Sequence, residues 1–184
     1  MSAQDTINPC ENGICPAYKI ILKNNYQINI GDTINNRRTI RLIGPEIDTI
    51  LRSVKVNISS ATLGWLVADY QEFFVLNTNY SGNYPKPEPL SVYIYQKSTG
   101  ALLANGPLVA YKKSENALLF IKYDQQENLG LFDTNTMKID FFSPVETLCE
   151  IWWHCIKNTY ITEKDMTIDY RDWNNNTKRK IYVR

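Results

Sequence analysis

The stretch LGWLVADYQEFFVLNTNYSGNYPKPEPLSVYIY, residues 63–95, is the densest apolar and aromatic part of the chain, and its reading decides the fold. Residues 63–70 and 73–76 are apolar at nearly every position. Residues 90–95 alternate, with Leu90, Val92 and Ile94 on one side and Ser91, Tyr93 and Tyr95 on the other. Side chains that alternate with a period of two mark a β-strand, and a short run that is apolar throughout fits a strand covered on both faces. The stretch therefore reads as two core strands, the first of them central, then a polar loop and a third strand. Trp65, Val67, Phe74 and Leu76 are the expected core.

The same period runs outward in both directions. Tyr18, Ile20 and Leu22, then Tyr26, Ile28 and Ile30, flank the turn residues Asn24 and Asn25 as a hairpin would. Residues 39–43 and the alternating Val54, Val56 and Ile58 add strands, with a single helical turn at 46–51 between them. Beyond the central stretch, Lys97, Ser98, Thr99 and Gly100 form one hairpin turn and residues 133–136 another, among further short apolar runs that continue to 180–184. Ser143, Pro144 and Glu146 match the N-cap, N1 and N3 positions of a helix start, whereas Cys149, Ile151, Trp153 and Cys155 alternate as in a strand. The segment reads as one helical turn leading into a strand. About a dozen short strands in all point to an all-β, mainly antiparallel sandwich or barrel with at most one short helix near 144–149. The two hairpin turns, some 36 residues apart, leave a small β-propeller-like arrangement as the alternative.

At 184 residues the chain is long enough to bury roughly 70% of its unfolded surface without metals or disulfides. Residues 17–184 read as one β-rich domain behind a polar, flexible leader at 1–16. Twenty basic and nineteen acidic residues leave a formal charge of +1, which gives no overall field for nucleic acid or an anionic membrane. Lys178, Arg179 and Lys180 read as a solvated strand edge. The longest apolar runs, 63–68 and 117–121, fall far short of the roughly 18 residues of a membrane-spanning helix.

No signal sequence is present in the chain as given, so it is either cytosolic or a mature form. Cys10 and Cys15 enclose Glu11, Asn12, Gly13 and Ile14, and the Asn-Gly pair favours a turn that could bring them into a disulfide. Cys149 and Cys155 are too far apart along either a strand or a helix to bridge without a sharp turn. They are expected to be free and buried. A terminal disulfide loop favours an extracytoplasmic compartment, periplasmic or secreted.

The chemistry-bearing residues are few. His154 is the single histidine, and in a strand its side chain would face away from Cys155, so it reads as structural. No cysteine spacing suits zinc, no glycine-rich loop suits a phosphate, and neither metal nor cofactor is expected. Asp69 and Glu72, beside tyrosines at the ends of the core strands, are the carboxylate pair that a glycoside hydrolase-like enzyme would use. The sequons at Asn57, Asn79 and Asn175 are expected by chance in so Asn-rich a chain. Tyrosine supply stands out, with twelve in the chain. Tyr80 and Tyr84 fall in the loop at 77–89, and Tyr93 and Tyr95 share a strand face that either meets a partner or packs beneath a second sheet. Tyrosine combines wide contact area with a polar tip and little entropy loss. The expectation is a non-enzymatic protein that holds a protein partner through these four tyrosines, as an immunity-type or envelope accessory protein would. A glycan-binding module using the same aromatics is the alternative, and the enzyme based on Asp69 and Glu72 comes third.

Overall fold

The computed structural model describes residues 17–55, 63–78, 91–112, 116–122 and 128–184. The leader with Cys10 and Cys15, and the loop tyrosines Tyr80 and Tyr84, lie outside the described residues. Fourteen strands occur among those that are described, with no helix of seven residues or more. They form three antiparallel sheets, none of which closes into a barrel, and the architecture is a β-sandwich. The propeller alternative falls as well, because the sheets do not repeat as four-stranded blades. The chain divides into two compact units at Asn105/Gly106.

In the first unit, β1 (Tyr18–Ile21), β2 (Gln27–Ile34), β3 (Arg37–Ile43) and β4 (Asp48–Lys55) pair in sequence order as one sheet. β5 (Trp65–Asp69), β6 (Phe73–Thr78) and β7 (Ser91–Gln96) pair in order as a second layer. Ile28, Ile30, Ile40 and Leu42 from one layer meet Phe74, Leu76 and Tyr95 from the other in a buried core. Alternation in each strand sends these side chains to the same side. The sheet register then stacks them.

Two expectations are corrected here. The strand expected to be central, β5, is an edge strand whose residues Trp65 to Asp69 are all half-buried, while β6 between β5 and β7 carries the fully buried run Phe73 to Asn77. A strand with one neighbour leaves one flank to solvent. The helical turn expected at 46–51 is instead a tight turn closed by the Gly44 amide donating to the Ile47 carbonyl at 2.7 Å, after which β4 is extended.

A buried lysine ties this unit together. Lys97, in the turn after β7, is 1% exposed. Its ammonium donates to the carbonyls of Tyr70 and, at 3.1 Å, Lys23, and it meets the Asp69 carboxylate at 2.7 Å. The ammonium thus has two carbonyl acceptors and a carboxylate counter-charge. The Lys97 amide also donates to the Glu72 carbonyl at 2.9 Å, and the Asp69 carboxylate accepts from the Lys23 amide at 2.8 Å.

The second unit has its own core. β8 (Leu102–Lys112) starts before the boundary and ends after it, where it pairs with β9 (Ala117–Ile121); β10 (Leu129–Asp133) and β11 (Ile139–Phe142) follow in order. The third sheet is β12 (Ile156–Ile161), β13 (Asp165–Arg171) and β14 (Thr177–Val183). Leu119, Ile121, Leu129 and Leu131 pack with Met166 and Ile168 between these layers. Gly130 pairs with Phe120 across the ladder, and any Cβ there would sit 2.5 Å from the Phe120 ring. Gly106 is held still more tightly, since its Cβ would meet the Ile121 carbonyl oxygen at 1.5 Å.

No helix forms near 144–149. The carbonyls that would start one accept bonds from the last strand instead: Tyr182 donates its hydroxyl to the Ser143 carbonyl at 2.7 Å and Lys180 its ammonium to the Pro144 carbonyl at 3.4 Å. Val145 is buried in the core. Bends at 148–151 and a 3-10 turn at Trp152–Cys155 then fold the chain back on itself. That turn overturns the expectation of free cysteines. Cys149 and Cys155 form a disulfide with their Cα atoms 5.8 Å apart. The separations expected for a straight strand or helix do not apply to a chain that doubles back.

Lys97→Met should lower stability by about 3 to 5 kcal/mol in denaturant titration, because it strands the Asp69 carboxylate without its cation. Adding Asp69→Leu should recover part of that loss. Replacing Gly130 with Val should cost roughly 1 to 3 kcal/mol by overpacking against Phe120. Peptide mapping without reduction should recover Cys149 and Cys155 as a linked pair.

Candidate functional site

The inner face of the first unit carries the aromatic positions that the sequence singles out. On β7, Tyr95 pairs with Phe74 and Tyr93 with Leu76 of β6, so both tyrosines point into the layer shared with the four-stranded sheet. Tyr95 is 4% exposed and stacks on Phe74 at 5.6 Å between ring centroids. Tyr93 is half-buried and stacks on Tyr95 at 6.4 Å with 12° between the planes. Tyr95 is therefore core, and Tyr93 is its outer end.

Arg52 completes this edge. It lies on β4 opposite Ile40, whose side chain is fully buried, so the register places Arg52 on the inward face. Its guanidinium sits over the Tyr93 ring at 4.5 Å from the centroid. Such a cation held on an aromatic face gains about 0.5 to 2 kcal/mol. One nitrogen, Nη1, is shut off from solvent and has no hydrogen-bond partner. Leaving a buried donor unpaired costs roughly 1 to 3 kcal/mol.

Burial pushes the Tyr95 hydroxyl up to about 12, with Arg52 pulling it down and Tyr93 pushing it up by smaller amounts. Tyr18 and Tyr182 are likewise raised to about 12 by burial. In the second unit, burial pushes the Asp133 carboxyl up, but the hydrogen bond from Arg184 and the amides of Thr136 and Asn135 outweigh it and hold it below the usual range. The hydrogen bond from Arg179 holds Asp169 low in the same direction.

The remaining candidates are not assembled into a catalytic group. Asp69 is engaged with Lys97 and the Lys23 amide, and Glu72 is an exposed turn residue whose carbonyl receives the Lys97 amide. His154 is exposed in the 3-10 turn, edge-on to Trp153 at 6.0 Å, rather than in a strand, and the Cys155 sulfur is spent in the disulfide. Sequence reasoning missed Arg52 although a signal was present: it has the same parity as Val54 in the alternating run of apolar residues. It also missed the outer face of the third sheet, where Tyr160, Ile181 and Val183 are exposed and Arg179 lies 5.8 Å from the Tyr160 ring centroid. Trp173, in the β13–β14 turn, is 68% exposed.

The chain matches no known family model, no curated protein and no solved structure.

Alkaline titration should show Tyr18, Tyr95 and Tyr182 holding their protons well above the ordinary value of 10. The folded protein keeps those protons where the unfolded chain has lost them, so stability is full below pH 10 and falls as pH rises towards 12. At the acid end, Asp133 and Asp169 stabilise the fold above the usual carboxylate range, and that stability is lost as pH falls through it. Thermal melts across both pH ranges check the two signs. Arg184→Ala should flatten the acid limb.

Proposed function

We propose that this chain is a non-enzymatic β-rich binding protein that holds a protein partner at the Arg52–Tyr93 end of its first unit. An immunity-type or an envelope accessory protein would work in this way. The observation that carries the reading is the Tyr93 ring, half-buried at the rim of the core with the Arg52 guanidinium 4.5 Å from its centroid. Arginine and tyrosine are the side chains on which binding energy concentrates at protein interfaces. They are costly to place at a rim for packing alone.

Two observations weigh against the alternatives. One face of the Tyr93 ring is occupied by Arg52, so a sugar could not stack on that face, which favours a protein over a glycan. Asp69 is committed to a buried ion pair, which favours a binding role over hydrolysis with Glu72. The Cys149–Cys155 bridge supports an oxidising, extracytoplasmic setting. No helix among the described residues is long and apolar enough to cross a membrane.

The test is photo-crosslinking from a probe amino acid placed beside Tyr93, followed by identification of the linked protein. Tyr93→Ala, and separately Tyr80→Ala with Tyr84→Ala, should reduce that capture while the melting transition of each variant stays cooperative. A glycan-array signal that depends on Tyr93, with no crosslinked protein, would replace this reading with glycan binding.

A further inference from the structure

Residues 143–155, between β11 and β12, are the longest described stretch of the second unit that joins no sheet. The stretch starts with the Ser143 and Pro144 carbonyls held by Tyr182 and Lys180. Val145 and Trp153 then pack into the core with Ile161, Met166 and Tyr182. Between those two anchors Glu146, Leu148, Glu150 and Ile151 are exposed. Among the described residues, the backbone bonds formed from 145 to 156 are local, from the His154 amide to the Ile151 carbonyl at 3.0 Å and from the Ile156 amide to the Trp153 carbonyl. No ladder holds this fold-back. The Cys149–Cys155 bridge does.

Opposed forces act on the closed form. Thr147 is 3% exposed, and its hydroxyl has no hydrogen-bond partner. The Trp152 indole nitrogen is likewise shut off from solvent without a partner. Polar groups buried in this way favour any conformation that returns them to water, and so does the entropy of a backbone outside the sheets. The bridge opposes both by limiting how far residues 149 and 155 can separate. Without it, the buried side chains of Val145 and Trp153 are left to hold the whole stretch.

We infer that the Cys149–Cys155 bridge is a redox latch. Closed, it keeps residues 145–155 folded back with Trp153 in the core; reduced by a dithiol, it frees that segment while the strands of the second unit stay paired. The inference is independent of the partner-binding reading. Cys149 is the half-buried member of the pair and Cys155 the buried one, so a thiolate of the dithiol attacks the Cys149 sulfur. A mixed disulfide forms there, the bond to Cys155 breaks, and its electron pair leaves on the Cys155 sulfur, which takes a proton. The dithiol's second thiolate then attacks its own sulfur in the mixed disulfide and displaces Cys149, which takes the second proton. The dithiol ends as a disulfide, and the protein has gained two electrons and two protons. An oxidising compartment keeps the latch closed, and transfer to a reducing one opens it.

The experiment follows amide hydrogen exchange of the full chain by mass spectrometry, with and without dithiothreitol, beside tryptophan emission. Alkylation after mild reduction should label both Cys149 and Cys155 in the folded protein. Amides in peptides covering 145–155 should then exchange at least about tenfold faster, while those of β12, β13 and β14 keep their protection. Emission should shift to the red, and Trp153→Phe should lose most of that shift. Reoxidation with glutathione disulfide should reverse both changes. The Cys10→Ser, Cys15→Ser variant should respond as the parent does. Cys149→Ala with Cys155→Ala should show the fast exchange without any reductant, and if that variant does not fold, the reduction of the parent decides.

Unchanged exchange at 145–155 in protein alkylated at both cysteines overturns the latch and leaves a simple staple. Loss of protection throughout β12 to β14 overturns it too, because the bridge would then hold the entire unit. So does a bridge that dithiothreitol cannot reduce until the chain is denatured, and so does a response that disappears in the Cys10→Ser, Cys15→Ser variant.

Discussion

A lysine ammonium removed from water needs acceptors and a counter-charge, and the first unit is arranged around supplying both at Lys97. They come from three places: the carbonyl of Lys23 in the turn after β1, the carbonyl of Tyr70 after β5, and the Asp69 carboxylate at the end of β5. No local segment could supply all three. The register that pairs Phe73 with Gln96 delivers the turn at 97 to this position, and the stacked ring of Tyr70 on Phe73, 4.5 Å between centroids, closes beside it. A slip of one residue would turn every core side chain outward and leave a buried charge unpaired. Register here is set by apolar alternation and one ion pair together.

The second unit is tied together by other groups. Arg184 reaches from the end of β14 to the Asp133 carboxylate and the Thr162 carbonyl, each at 2.8 Å, while Tyr182 and Lys180 hold the segment at 143–144. The disulfide between Cys149 and Cys155 closes the fold-back that follows. Both cores are small, and in each the last turns are held by long polar side chains rather than by more apolar area. Against that background Arg52 differs from the paired cations. Its guanidinium lies against an aromatic ring, 4.5 Å from the Tyr93 centroid, instead of a carboxylate.

Much of the architecture was legible in the residues. The alternation in residues 18–22, 26–30 and 90–95, and the turn residues at Asn24, Asn25 and 97–100, correspond to β1, β2, β7 and the hairpin after it. Other readings failed for identifiable reasons. The run at 63–70 looked central because both its faces are apolar, yet hydrophobicity does not say how many neighbours a strand has. The helix-start pattern at 143–146 was sound locally and lost to β14, whose side chains took the carbonyls it needed. The cysteines were judged by distance along a straight element, which a turn at 148–155 makes irrelevant. Arg52 shared the parity of Val54, but a charge in an inward position gains meaning only from the ring it meets.

By itself, then, the sequence determined that this is an all-β chain, where most of its strands run, and that it carries no overall charge for a nucleic acid or membrane surface. Those properties follow from each residue and its immediate neighbours, because a strand's alternation is local. The tertiary structure alone decided which strands are edges, which cysteines are joined, that Tyr95 is core while Tyr93 is rim, and that Arg52 lies on that rim. Each of these depends on pairings between segments far apart in the chain, where the geometry of one segment is set by what the other presents.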